Sequence, residues 1–336
     1  MNEHEFQEIS ELLATPKKIA IIPHKSPDGD AIGSTLALYH LLLKLGQNPL
    51  VIAPNEFPDF LAWLPASDTI RIWEQDKDAT SAIIIDADII FTLDFNALHR
   101  TGDMEVPLKA SKALFIMIDH HQSPDTYAKY TYSNTAFGST CEMVYNFIVG
   151  LGHKPLIDKT IGTCLYTGMV TDTGSFRFAS TTSLTHRVAA ELIELGIENG
   201  KIHNNLFDNN SYESLQLLGR ALQNMQIRPD RKTSFITLSQ QELDSFNYVK
   251  GDTEGIVNYG LAIKGIVFTA IFIEHREENI IKISFRSQGN FDVNKFAREH
   301  FNGGGHINAA GGKSYLSLED TVRKFENIIT QININE

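Results

Sequence analysis

Short apolar runs alternate with longer segments of helical periodicity through the first half of the chain. The run "KKIAIIPH" predicts a buried strand, and "AIGSTLALYHLLLKLG" predicts a helix that ends at Gly46. The same pattern recurs in further predicted strands, "NPLVIAP", two pieces of "AIIIDADIIFTLDF" and "KALFIMIDHH", and in the predicted helices "STCEMVYNFIVGLG" and "DKTIGTCLYTGMVTD". Near-continuous apolar strands separated by helices are typical of a parallel sheet with helices on both faces.

The pattern changes in the second half of the chain. Two helical segments, "SLTHRVAAELIELG" and "SYESLQLLGRALQNMQ", precede more alternating strands at "SFITLS", "GIVFTAIFIEH" and "NIIKISFRS". This alternation and closer spacing predict a smaller α/β domain with a mixed sheet. We therefore expect an α/β chain with one domain at residues 1–190, a helical linker at 191–225 and a second domain at 226–336.

Composition and charge narrow the class of protein. The 336 residues include 29 basic and 41 acidic ones, a formal net charge of −12, which disfavours binding of long duplex nucleic acid through the overall field. Cys141 and Cys164 lack CxxC spacing and are predicted to be reduced core residues. The acidic N-terminus lacks signal-peptide features, and no apolar run reaches the roughly 18 residues of a membrane span. We expect a cytoplasmic protein with no membrane partner.

Carboxylates and histidines follow several predicted strands or end a predicted helix. They occur in "PHKSPDGDA", "TLDF", "IDHH" and "MVTDTGSF", and the residues concerned are His24, Asp28, Asp30, Asp94, Asp119, His120, His121 and Asp172. The carboxyl ends of parallel strands line one crevice, so these side chains are expected to converge. Taken alone, Asp28 and Asp30 are equally consistent with a turn or a helix N-cap, Asp94 could cap a turn, and Asp172 could open a loop. Together they would repel one another without cations, which predicts two divalent metal ions. Oxygen and nitrogen donors without thiolate favour Mn²⁺, with Mg²⁺ or Co²⁺ as alternatives.

These motifs together resemble the DHH phosphoesterases. "HxxxDxD", a strand-end Asp, "DHH" and "TDTGSF" match the metal-binding core of that family, and "FNGGGHINAAGG" is similar to the signature of its usual C-terminal partner domain. The resemblance spans nearly the whole chain and favours the compact oligoribonuclease and pAp phosphatase branch. It implies a DHH metal-binding catalytic domain at 1–190, a DHH-associated substrate-binding domain at 226–336, and an active site in the cleft between them.

The resemblance also implies a role for each matching residue. One metal ion would be held by His24, Asp28 and Asp94, and the second by Asp30, Asp94, His120 and Asp172, with Asp94 shared. Asp119 would orient an imidazole, and His121 would polarise the scissile phosphate or transfer a proton.

In the second domain, substrate phosphate would contact Arg286, Gly303, Gly304, Gly305 and His306. Without the resemblance, the three glycines predict a flexible hinge and Arg286 is predicted to be a surface residue. Asn302 stands where the family commonly has another glycine. In "GSTCE", Ser139, Thr140 and Glu142 are predicted to cap a helix rather than to contact substrate.

The function predicted is metal-dependent hydrolysis of small nucleotides. The substrates would be 3′-phosphoadenosine 5′-phosphate (pAp), which yields AMP and phosphate, or short single-stranded RNA, which yields mononucleotides. Alternatives are a cyclic or linear dinucleotide phosphodiesterase, an inorganic pyrophosphatase or exopolyphosphatase, and a nucleotide sensor without turnover. The family resemblance also suggests a homodimer.

Overall fold

The chain folds into two compact units, Met1–Asn209 and Asn210–Glu336. The structure, a computed structural model, describes residues 1–332. The boundary between the units falls inside the segment predicted as a linker. The roles predicted for the two domains stay a prediction.

The first unit combines a six-stranded parallel sheet with eight helices of the described chain. The strands are β1 (Lys18–Ile22), β2 (Asn48–Ala53), β3 (Arg71–Ile72), β4 (Ile89–Leu93), β5 (Leu114–Asp119) and β6 (Tyr130–Ser133). The helices are α1 (Glu3–Leu12), α2 (Gly29–Lys44), α3 (Lys77–Asp86), α4 (Glu105–Ala110), α5 (Thr140–Gly150), α6 (Lys159–Asp172), α7 (Ser183–Glu194) and α8 (Asn199–Phe207). The strand order is β3-β2-β1-β4-β5-β6, and every neighbouring pair is parallel.

Alternate residues of the central strands enter two different cores. Ile19 and Ile21 of β1 join the core formed with α2, α5 and α6, whereas Ala20 and Ile22 join the core formed with α3 and α4. Successive side chains of a strand point to opposite faces. The sheet is therefore covered by helices on both faces, and the predicted fold class is confirmed.

One predicted strand piece of the first unit is a helix. Residues 82–86, the first half of "AIIIDADIIFTLDF", form the end of α3, and the strand begins only at Ile89. Asp76 caps α3 by accepting the Ala79 N–H at 3.2 Å. A run of four apolar residues carries too little periodicity to separate helix from strand, so the remote cap decides the conformation.

The second unit holds the predicted mixed sheet. Its strands are β7 (Gln226–Arg228), β8 (Thr233–Leu238), β9 (Phe268–His275), β10 (Ile280–Ser287), β11 (Gly304–His306) and β12 (Ala309–Ser314). Its helices are α9 (Tyr212–Gln223), α10 (Gln240–Ser245), α11 (Asn258–Leu261), α12 (Val293–His300) and α13 (Leu318–Gln331). The order is β11-β12-β10-β9-β8-β7, in which β8–β9 is parallel and the other neighbours are antiparallel. No helix within residues 1–332 combines the length and apolar character that crossing a membrane requires.

Candidate metal centre

The predicted site lies in the first unit at the point where the strand order reverses. β1 and β4 are neighbours at the centre of the sheet, and each runs out into a loop that carries predicted ligands. His24 follows β1 and Asp94 follows β4, and both side chains are buried. In open parallel sheets, ligands bind at such a switch point, because the two adjacent loops leave in opposite directions.

Asp94 has a backbone conformation that non-glycine residues seldom adopt. Its φ is 65°, in the left-handed region, and its N–H donates to the Ile118 carbonyl at 3.1 Å. A left-handed aspartate costs free energy unless surrounding contacts hold it in place. Here the neighbouring strand β5 supplies such a contact through the Ile118 carbonyl.

Asp28 is both a helix cap and a member of the site. Its Oδ1 accepts the N–H groups of Asp30 and Ala31 at 3.0 and 3.1 Å at the start of α2, while its Oδ2 lies 3.9 Å from His24 Nε2. The two sequence interpretations, cap and ligand, are therefore compatible, because each uses a different oxygen. Gly29 is the first residue of α2 and occupies a normal helical conformation. A Cβ there would lie 2.6 Å from the Thr171 side chain, so glycine permits close approach of α6.

The remaining predicted ligands arrive from β5 and α6. Asp119 is the last residue of β5, and His120 and His121 follow it directly. Asp172 is the last residue of α6. These side chains therefore lie at or directly after the ends of a strand and a helix, as predicted.

The ligand atoms form two groups that meet at Asp94. In the first group, atoms of His24, Asp28 and Asp94 all lie within 4.8 Å of one another. The second group is Asp30, His120 and Asp172, under the same limit. Asp94 Oδ2 is 3.6 Å from His24 Nε2, and Asp94 Oδ1 is 3.4 Å from His120 Nε2. Each oxygen of Asp94 therefore faces one group, which is the arrangement of a bridging carboxylate.

Backbone carbonyls determine which nitrogen each histidine turns toward the site. His24 Nδ1 is 2.9 Å from the Lys25 carbonyl, and His120 Nδ1 is 3.2 Å from the Phe137 carbonyl. A carbonyl oxygen only accepts, so Nδ1 carries the proton in both rings. Nε2 is then the nitrogen that faces the carboxylates, and the bond at Nδ1 fixes the ring orientation, as is usual for metal-binding histidines.

The charges of this cluster are poorly balanced by the protein alone. Burial, reinforced by the charges of Asp94 and Asp172, raises the pKa of Asp30 well above its usual value. Burial acts in the same direction on Asp94, but bonds from His120 and His24 outweigh it and hold the pKa of Asp94 well below its usual value. Converging buried carboxylates ionise together only when positive charge lies among them. The donor set of carboxylate oxygens and imidazole nitrogens therefore fits divalent metal ions.

The N-terminus of α5 holds two of these carboxylates in place. The N–H groups of Thr140 and Cys141 donate to the two oxygens of Asp30 at 2.5 and 2.8 Å. The Thr140 hydroxyl donates to Asp94 Oδ1 at 2.8 Å. Ser139 caps the helix as predicted by accepting the Glu142 N–H. The expectation for Thr140 missed its contact with Asp94, because only the fold brings residues 46 positions apart together.

Asp119 and His121 form a separate pair beside the cluster. His121 Nδ1 lies 2.7 Å from Asp119 Oδ1 and 3.7 Å from Asp94 Oδ1. The other oxygen, Asp119 Oδ2, is buried without a hydrogen-bond partner. One oxygen of Asp119 thus contacts the His121 imidazole, and the orienting role of Asp119 stays a prediction.

The predicted substrate residues all belong to the second unit. Arg286 on β10 and His306 on β11 both pair with Ala309 of β12, so they occupy one cross-strand row. Asn302 adopts a left-handed φ of 48°, which asparagine tolerates better than most residues, so the departure from glycine is accommodated. The glycines approach other backbone closely: a Cβ at Gly303 would lie 1.9 Å from the Gly311 carbonyl oxygen.

Comparison with known families matches both halves of the chain. The model of the DHH family, N-terminal domain, matches residues 18–169, and the model of the DHHA1 domain matches residues 234–333.

Individual relatives match over most of their length. The bifunctional oligoribonuclease and PAP phosphatase NrnA of Thermus thermophilus is 32% identical over 89% of this chain and 85% of its own. The probable bifunctional oligoribonuclease and PAP phosphatase NrnA of Streptococcus mutans is 28% identical over 93% of this chain and 94% of its own. Among solved structures, an exopolyphosphatase-related protein from Bacteroides fragilis is 39% identical, with a TM-score of 0.94 over 100% of this chain and 98% of that chain. The chain therefore belongs to the DHH family, and the phosphoester-hydrolase class expected from its sequence is confirmed at the level of that family.

Proposed function

We propose that this chain hydrolyses pAp to AMP and phosphate, and short oligoribonucleotides to mononucleotides, at a site for two divalent metal ions. The names of the NrnA relatives support the substrate class. The observation that carries the two-metal site is the placement of Asp94, whose two oxygens face separate donor groups. The ligands are those expected from the sequence: His24, Asp28, Asp30, Asp94, His120 and Asp172.

Bound ions supply positive charge to the phosphoryl oxygens and lower the pKa of water in the site. The chain's own residues prepare the site for this chemistry. Asp94 orients its oxygens toward both groups, and the α5 N-terminus fixes Asp30. His121, whose Nδ1 lies 2.7 Å from Asp119 Oδ1, would polarise the phosphate or transfer a proton. We propose Mn²⁺ as the ion, with Mg²⁺ and Co²⁺ as alternatives, since mixed oxygen and nitrogen ligands suit it.

The second candidate is hydrolysis of inorganic polyphosphate or pyrophosphate. Hydrolysis of polyphosphate is favoured by the similarity to the exopolyphosphatase-related protein from Bacteroides fragilis. Against it stand the names of the NrnA relatives, which specify nucleotides. The cytoplasmic location and the homodimer remain proposals, to be tested by cell fractionation and by light scattering of the purified chain.

The test is product release in Mn²⁺ from pAp, a ribodinucleotide, a longer RNA, cyclic di-AMP, pyrophosphate and polyphosphate. Rapid turnover of pAp and the dinucleotide, abolished by chelation, is expected. Asp94→Asn should lose activity by several orders of magnitude with its fold intact. Asp86→Asn, at an exposed carboxylate paired with Lys18, is the matched control and should behave as wild type. Turnover of pyrophosphate or polyphosphate alone would replace this proposal with the second candidate.

A further inference from the structure

In the glycine loop of the second unit, Gly303–Gly305 at the start of β11, two of the three backbone N–H groups already donate hydrogen bonds. The Gly303 N–H donates to the Ala297 carbonyl at 3.2 Å, and the Gly305 N–H donates to Asn294 Oδ1 at 2.9 Å. A phosphate at this loop therefore cannot be held by a cradle of three consecutive glycine amides. Donors from side chains are needed.

Asn294 links the loop to an arginine that the sequence motifs did not single out. Its side chain is buried, with 5% exposed, and its Oδ1 also accepts the Nε–H of Arg298 at 3.1 Å. Both residues lie on α12, one turn apart. A Cβ at Gly304 would lie 3.5 Å from Arg298 Nε, so the guanidinium rests directly beside the loop. One buried amide oxygen thus fixes the arginine against the glycines.

The rest of the Arg298 guanidinium has no acidic partner. No carboxylate of residues 1–332 forms an ion pair with it, and the adjacent Glu299 lies near Lys295 and His300 instead. The side chain is exposed, in a chain whose formal charge is −12. Carboxylates are thus abundant, yet none is placed here. With Nε held by Asn294, the two Nη groups remain to donate to an anion, the geometry in which arginine binds phosphate bidentately.

We propose that Arg298 binds the phosphate of the substrate that is not hydrolysed, a terminal phosphate monoester such as the 5′-phosphate of pAp. This inference rests on the proposed function and on the expectation from the sequence that substrate phosphate contacts the glycine loop. It adds a donor that the family motifs do not contain. A purely structural role, in which the charge stabilises the C-terminal end of α12, is the alternative.

The test compares substrates that differ only in the terminal phosphate. KM and kcat are measured for pAp and for adenosine 3′-phosphate with wild type, Arg298→Ala, Arg298→Lys and Lys295→Ala. Lys295 is an exposed cation one turn earlier on α12 and serves as the matched control. Arg298→Ala should raise KM for pAp by about 10- to 100-fold, with kcat nearly unchanged, and should leave KM for adenosine 3′-phosphate within about twofold. Lysine should restore only part of the loss, because it lacks the bidentate geometry.

Binding is also measured without turnover, by calorimetry with AMP and with adenosine. Arg298→Ala should weaken binding of AMP and leave binding of adenosine unchanged. The proposal would be overturned if Arg298→Ala affected pAp and adenosine 3′-phosphate equally, or AMP and adenosine equally. The same effect from Lys295→Ala would also overturn it. If the wild-type protein hydrolyses neither pAp nor adenosine 3′-phosphate, the proposed function fails. The AMP and adenosine titrations then still decide the role of Arg298.

Discussion

Replacing Thr140 with valine tests whether α5 positions the metal ligands. The substitution keeps the size and β-branching of the side chain and removes only the hydroxyl that donates to Asp94 Oδ1 at 2.8 Å. The backbone N–H that binds Asp30 is unaffected. We expect weaker Mn²⁺ binding, because the carboxylate shared by both donor groups loses one of the contacts that orient it.

The size of the effect follows from the burial of this contact. Thr140 is 0% exposed and Asp94 2%, so water cannot replace the lost donor. A hydrogen bond to a charged group contributes about 1.5 to 3 kcal/mol, which corresponds to roughly 10- to 100-fold in affinity. Substitution of residues that orient metal ligands in other proteins costs about the same factor.

The assay is calorimetric titration of the metal-free protein with Mn²⁺. Thr140→Ser keeps a hydroxyl and should stay within about threefold of wild type. Thr185→Val is the matched control, because the Thr185 hydroxyl also donates to a buried carboxylate, Glu142 Oε2, at 2.9 Å. It should lower the free energy of unfolding without changing Mn²⁺ affinity. Wild-type affinity in Thr140→Val, or an equal loss in Thr185→Val, would refute the positioning role.

Two further predictions concern the same centre. Metal-free protein should melt at a lower temperature than protein in Mn²⁺ at about 100 times its dissociation constant. One occupied site then adds about 2.7 kcal/mol to the free energy of unfolding, which raises the melting temperature of a unit of this size by on the order of 5 to 10 °C. In differential scanning calorimetry Asp94→Asn should lose most of this shift, and an undiminished shift would place the metal elsewhere. Asp28→Ala should lose both metal affinity and about 1 kcal/mol of stability, because the helix cap is removed, whereas Asp28→Asn keeps the cap and should lose metal affinity alone. Chemical denaturation measures the stability and Mn²⁺ titration measures the affinity. Equal stability losses in the two variants would show that the cap is not the cause.

Much of the first unit was predictable because local chemistry and tertiary fold agree there. The apolar run before His24 and the one that ends at Asp119 are strands in the structure, and the periodic segment after Asp28 is α2. The run before Asp86 was assigned wrongly, since it is short enough to suit a helix or a strand. At Gly29 the requirement for glycine comes from the close approach of α6, so no local pattern could have indicated it.

The sequence was enough to predict which residues belong to the site. Carboxylates and histidines at the ends of successive elements predict two metal ions, because like charges cannot converge without cations. How these groups are held depends on the packing of the elements: the Thr140 hydroxyl donates to Asp94, and Asn294 Oδ1 accepts both the Gly305 N–H and the Arg298 Nε–H. Hydrophobic periodicity records which face of an element is buried, whereas a hydrogen bond between two elements depends on their packing, which no local pattern encodes.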